Sequence, residues 1–154
     1  MSENYEKRIL SLGILLPDAP APAANYVPFV IVGDMVYVSG QISGDANRRI
    51  NGKLGENFSV EQGQKAAKSC GINLIAQLKA ACEGDLERVV QVVKLGGFVN
   101  CTADFTDHPK VINGASDLMV EVFGNAGKHA RAAVGSSSLP LGVAVEIEGI
   151  FQIK

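Results

Sequence analysis

A chain of 154 residues with 47% hydrophobic and 19% charged residues fits one globular domain, long enough to bury a core without covalent staples. Its formal net charge of -2 supplies no cationic field for a phosphate backbone, so nucleic acid is not an expected partner. The 3 cysteines, Cys70, Cys82 and Cys101, are odd in number and form no C-x-x-C pair, which disfavours a disulfide framework or a zinc site and favours reduced, buried thiols.

At the N-terminus, Ser2 to Arg8 is polar and charged where a secretory signal would be apolar, and no run of about 18 apolar residues follows, so a cytosolic protein with no membrane partner is expected. Glu3 to Leu12 reads as a short helix stopped by Gly13. The prolines of P-D-A-P-A-P-A-A-N-Y then predict an extended arm, so that residues 1–24 form a helix and arm belonging to the single domain 1–154. F-V-I-V-G-D-M-V-Y-V-S-G is a β-hairpin turning at Gly33-Asp34, and Gly44 to Asn57 is expected to be a long exposed loop.

Ser59 and Gln62 have capping-box spacing, and Ala67, Cys70, Leu74, Leu78 and Ala81 recur at threes and fours, predicting a long helix that Gly84 stops. V-V-Q-V-V-K-L-G-G-F-V is a strand with apolar residues in both alternating sets, so cover is expected on both its faces. Asp107 is the expected cap of a second helix with Pro109 in its first turn and Ile112, Ala115, Met119 and Val122 on its apolar stripe. Strands at Arg131 to Ser137 and Val143 to Ile153 complete the order ββαβαββ, an α+β two-layer domain with helices on one sheet face.

In the last strand Val143, Val145, Ile147 and Phe151 alternate toward the helices, while Ala144, Glu146, Glu148, Ile150 and Gln152 share the other face. Two carboxylates on a face that the doubly apolar strand wants covered point to self-association around a pocket, with Arg131 as the nearest cation in chain order. Glu148 is expected to serve as an interface ion-pair partner. His108 and His129 fall at loop or cap positions, no Ser/His/Asp order suggests a triad, and the glycines follow no phosphate-loop pattern.

N-Y-V-P-F-V-I-V-G-D-M-V-Y-V-S-G-Q-I, the long helix, V-I-N, and A-R-A-A-V-G-S-S-S-L-P-L-G-V-A-V-E-I-E-G-I together resemble the RidA/YjgF family over residues 25 to 153. The resemblance implies a chorismate-mutase-like fold with a mixed sheet, two main helices on one face, and a homotrimer whose sheets face inward around intersubunit pockets. It implies cofactor-independent, metal-free hydrolysis of enamines and imines such as 2-aminoacrylate to 2-keto acids and ammonia. In that correspondence Arg131 clamps the substrate carboxylate, Glu146 holds the water near the reacting carbon, and Tyr26 and Asn113 lie at the pocket. Ala133 stands where the archetype commonly has a cysteine whose contact is largely through the backbone. The helix and arm at the N-terminus and the Gly44 to Asn57 segment resemble a longer branch. Ser39, Gly40 and Gln41 shape the same pocket in this reading. A noncatalytic sensor of small carboxylates is the competing function, and a ribonuclease ranks last on charge.

Overall fold

A computed structural model describes residues 4–21 and 24–154. Helix α1 (Tyr5–Ser11) is followed by strands β1 (Phe29–Val32) and β2 (Met35–Ile42), helix α2 (Val60–Ala81), strand β3 (Val89–Asn100), helix α3 (His108–Phe123), and strands β4 (Ala130–Ser136) and β5 (Val145–Ile153). Glu3, Pro22 and Ala23, within the expected first helix and arm, lie outside the described residues. The strands make a mixed five-stranded sheet in the order β1-β2-β5-β3-β4, antiparallel except for β3 against β4. The α+β class, the element order and the hairpin at Gly33-Asp34 are as expected, with Val32 paired to Met35 across the turn.

The helices form as their ends dictate. Asn4 accepts from the Lys7 amide to cap α1, and Gly13, with φ +75°, turns the chain out of it. Ser59 and Gln62 make the full reciprocal capping box of α2. Asp107 occupies the cap position of α3 but makes no capping bond; its carboxylate instead lies 3.6 Å from Lys110 Nζ, one turn along. Downstream of the helix, Gln77 Nε2 donates to Pro20 O at 2.6 Å, which ties the arm to α2.

Both long helices lie on one sheet face and approach each other through glycine. A Cβ at Gly63 would meet Val111 at 3.1 Å, one at Gly71 would meet Leu118 at 2.9 Å, and one at Gly114 would collide with the backbone carbonyl of Gln64. A glycine inside a helix costs about 1 kcal/mol relative to alanine, so close packing is what offsets that cost here. Below the pair, Val92, Leu95, Val99, Val145, Ile147 and Phe151 are fully buried from the sheet side, against Ala67, Cys70, Leu74, Ile112, Ala115 and Met119.

Two expectations need correction. The Gly44 to Asn57 segment is not simply an exposed loop: Leu54 is fully buried, bridges to Phe58 and Cys101, and bonds through its backbone to Asn100 and Thr102. Polar composition hid one apolar anchor. The last strand starts at Val145, and Ala144 is fully buried rather than on the open face, because its amide donates to Ile50 O beneath that same segment.

The opposite face of the sheet carries no helix among the described residues. Val30 at 48% exposure, Val32 at 61%, Tyr37 at 46% and Val134 at 47% lie on it, interleaved with Glu146, Glu148 and Ile150. Cover on both faces of β3 is therefore not provided within one chain.

Replacing Gly114 with alanine is expected to destabilise the protein by about 1–3 kcal/mol through forced backbone displacement, in spite of alanine's better helix propensity. Ser59→Ala, which removes a cap and no packing, is expected to cost about 1 kcal/mol. Urea midpoints of the two variants check both values.

Candidate functional site

The residues singled out by sequence fall into two groups on opposite faces of the sheet. Parallel register places Arg131 beside Leu95 and Ala133 beside Gly97, so both β4 side chains leave on the helix-covered face. Arg131 is half-buried and reaches α3, where Nη1 donates to Ser116 Oγ at 3.0 Å and Nη2 to Pro109 O at 3.3 Å. Asn113 lies four residues after Pro109 and three before Ser116, which puts it on the helix face that carries both acceptors of Arg131. Arg131, Asn113 and Ala133, all half-buried, thus lie along the border of β4 and α3.

A chain of hydrogen bonds behind the guanidinium was not visible in the sequence. Ser116 Oγ lies 2.9 Å from His129 Nε2, and His129 Nδ1 lies 2.6 Å from Gly127 O. Because a carbonyl only accepts, Nδ1 must carry the proton, and in the neutral tautomer this leaves Nε2 to accept from the serine hydroxyl. Ser116 is then free to accept from Arg131. Every donor in the chain has an acceptor, and two of the five guanidinium N–H groups are used, which fixes the plane of the fork and leaves the remainder for a ligand. His129, read from sequence as a loop residue, is in a loop; its role in holding Arg131 depends on residue 116, thirteen positions away, and no local spacing signals such a pair.

Glu146 is on the other face, between the core residues Val145 and Ile147. Its carboxyl lies over Gly40, where an added Cβ would stand 3.0 Å from Glu146 Cδ. Gly40 belongs to the irregular stretch between Val38 and Gln41 where the β2–β5 register slips. A side chain there would displace the acid, so close approach, and not only a turn, requires this glycine. Tyr26, Gly40 and Gln41 line one cavity of about 370 Å³ between the arm and the end of β2. Ser39 Oγ donates to Val27 O at 2.8 Å, which fixes the backbone next to Tyr26.

Burial pushes the Glu146 carboxyl above the usual carboxylate range, and the charge of Glu148 pushes it in the same direction. Glu148 is exposed and lies against Gly96, where a Cβ would stand 3.0 Å from its Cγ. Beneath them, Cys70 is fully buried and its thiol is held protonated, first by burial and then by the charge of Glu146. All three cysteines are unpaired and buried. Among the described residues no cluster of three His, Cys, Asp or Glu side chains could hold a metal ion, and no helix is long and apolar enough to cross a membrane.

Residues 6–148 match the family described as "YjgF/chorismate mutase-like, putative endoribonuclease". Protein TCP17 of Trypanosoma cruzi is 47% identical over 145 residues, covering 93% of this chain and 90% of that protein. A 2-iminobutanoate/2-iminopropanoate deaminase of Dermatophagoides farinae is 32% identical over 150 residues, covering 96% and 98% respectively. The crystal structure of Atu1372 from Agrobacterium tumefaciens, a protein of unknown function, superimposes with a TM-score of 0.91 at 45% identity, covering 97% of this chain and 92% of that one.

Replacing Glu148 by glutamine is expected to lower the Glu146 titration midpoint yet leave it above the ordinary carboxylate range, since burial is the larger cause; carboxyl-carbon NMR titration measures this directly. A raised folded value means that the unfolded chain releases the Glu146 proton first as pH rises, so the ionised side chain opposes folding at neutral pH. Glu146→Gln is accordingly expected to raise the urea midpoint at pH 7, with the gain absent at about pH 3.5, where both states are protonated.

Proposed function

Since the chain belongs to the RidA/YjgF family, we propose that it is a cytoplasmic, cofactor-independent hydrolase of small enamines and imines, with its pockets shared between copies of a homotrimer. The observation that carries this reading is the placement of Arg131 and Glu146 on opposite faces of one sheet. Neither group can serve the other's ligand within a chain. An open face bearing exposed apolar residues and a half-buried acid invites a second copy, whose Arg131 margin would complete the pocket that Tyr26, Gly40 and Glu146 begin.

The chemistry follows from those groups. The free N–H groups of Arg131 hold the carboxylate of a 2-imino acid through parallel charge-assisted bonds, which orients the adjacent C=N carbon. Asn113 and the backbone at Ala133 border the same position. Glu146, ionised, accepts a proton from a bound water as the water oxygen bonds to that carbon and the C=N electron pair moves to nitrogen. Glu146 returns that proton to the nitrogen, giving a carbinolamine; the hydroxyl proton then passes through Glu146 to the nitrogen, so that the C–N bond breaks, ammonia leaves and the C–O bond becomes the carbonyl of a 2-keto acid. A 2-aminoacrylate enters the same route once its methylene carbon is protonated to give the imine. The imine carbon is already electrophilic, so orientation supplies much of the acceleration required. Deaminase naming of the 32%-identical relative supports this substrate class. RNA cleavage, which the family description includes, is the weaker reading because a net charge of -2 offers no attraction for a polyanion.

Keto-acid release from enzymatically generated 2-aminoacrylate is the direct assay. Arg131→Ala is expected to lower kcat/KM about a hundredfold or more, as loss of a charge-assisted pair worth ~3 kcal/mol implies. Glu146→Gln is expected to lower kcat by about 10²-fold or more. Wild-type activity should rise with pH through the raised Glu146 value, because only the carboxylate accepts the water's proton. When Arg131→Ala and Glu146→Gln chains are mixed and allowed to exchange, about a quarter of shared pockets regain both groups and activity returns; a site within one chain gives no recovery. No acceleration over buffer, together with saturable 2-ketobutyrate binding, would establish a sensor in place of an enzyme.

A further inference from the structure

A second cavity, of about 780 Å³, lies between the proline arm, the 44–58 segment and α2, and its lining includes none of Tyr26, Asn113, Arg131, Ala133 or Glu146. Arg48 and Arg49 supply its charge. Both are exposed, and neither guanidinium has a carboxylate or other side-chain partner among the described residues. Asp45, the one acid in the lining, accepts with Oδ1 from the amides of Asn47 at 2.8 Å and Arg48 at 2.9 Å. The cavity therefore keeps a net positive charge on a chain whose overall charge is negative.

The turn that carries the arginines is held firmly. The Asp45 amide donates to Arg48 O at 2.9 Å, and Gly44 bridges to Arg49. Gly44 is itself bonded at both ends to α2: its amide donates to Ser69 Oγ at 2.8 Å and its carbonyl accepts from Asn73 Nδ2 at 2.9 Å. Gly44 has φ +106°, and a Cβ there would collide with the Arg48 carbonyl, so the sequence can build this turn only with glycine. Two adjacent cations are thus displayed on a backbone bonded to a long helix.

Leu15, Phe58 and Ile72 supply an apolar wall, while Asn51, Ser69 and Asn73 add polar groups to the lining. Leu15 is 84% exposed, whereas Phe58 and Ile72 are half-buried. A lone exposed leucine is ordinary, but one that shares a cavity with two further apolar side chains and two unpaired guanidinium groups matches a molecule having both an apolar body and an acid group. The volume is in the range of small-molecule sites and is large for a three- or four-carbon keto acid.

We propose that this cavity binds an amphipathic organic acid, with its carboxylate on the Arg48–Arg49 pair and its apolar body against Leu15, Phe58 and Ile72. The cavity excludes Tyr26, Gly40 and Arg131, although Gly44, Asp45, Arg49 and Asn73 line both it and the cavity beside Tyr26, so Arg48 and Ile72 are the groups that distinguish it. Calorimetric titration of the full-length protein with octanoate at low salt tests it, with octan-1-ol as the neutral control. Octanoate is expected to saturate one site per chain and octan-1-ol to bind about tenfold or more weakly. Arg48→Ala, on an exposed turn, and Ile72→Glu, which places an acid in the apolar wall, are each expected to weaken octanoate about tenfold or more, whereas Arg131→Ala should leave it within about twofold. Absence of saturable binding overturns the proposal, as does unchanged affinity in Arg48→Ala. Loss in Arg131→Ala with retention in Arg48→Ala also overturns it, and would assign the acid to the other pocket while leaving the proposed hydrolase intact.

Discussion

Strand β5 is the constraint on which the molecule depends. Antiparallel neighbours, β2 and β3, hold it on both edges, so its register cannot drift, and the period of two along a strand then divides its side chains absolutely. Val145, Ile147, Phe151 and Ile153 enter the core; Glu146, Glu148, Ile150 and Gln152 do not. A one-residue slip would bury two carboxylates under the helices at a cost of several kcal/mol each and expose the core set. The position of Glu146 is therefore fixed by the same packing that stabilises the fold. The same register, carried across β3, sends Arg131 to the other side.

Separating the two charges in this way has an electrostatic consequence. A guanidinium close to Glu146 within the chain would draw its carboxyl toward lower values; partial burial above Gly40 and the charge of Glu148 push the carboxyl up instead. Arg131 has its own support in Ser116, His129 and Pro109, none of which is an acid. The cation thus retains its full charge for an incoming carboxylate, whereas an intrachain ion pair would have to be broken before binding. Each group is held without being neutralised, which suits a site that is completed by a ligand.

Much of the fold was legible because its signals are local. The capping box at Ser59, the stripe from Ala67 to Ala81 and the Gly33-Asp34 turn each lie within a few residues, and each formed as read. Asp107 had the right position for a cap, but its backbone, at φ -93° and ψ 31°, is not the extended conformation from which a side chain caps, and its carboxylate lies beside Lys110. Leu54 was missed because two large apolar residues, Ile50 and Leu54, are too few to set a period in a polar segment, and its burial depends on Cys101 and Phe58 arriving from elsewhere. For the candidate site, alternation placed Glu146 on the open face from sequence alone. The Ser116–His129 support of Arg131 was illegible for the opposite reason: it joins an α3 side chain to a loop whose conformation is set by the helix end, and neither partner is unusual by itself.

Glycine connects these levels. Gly63, Gly71 and Gly114 bring α2 and α3 close enough to cover one face with two helices, and among the described residues no helix lies on the other face. Gly40 and Gly96 lie on that other face and make room for the carboxyl-bearing side chains of Glu146 and Glu148. In each position the missing Cβ is occupied by a neighbour, not by solvent. Larger residues at the first three would separate the helices and open the core; larger residues at the last two would push the acids outward, hydrate them and restore ordinary carboxylate behaviour. The small residues thus determine both where a second copy can pack and how basic the acid is that would meet it there.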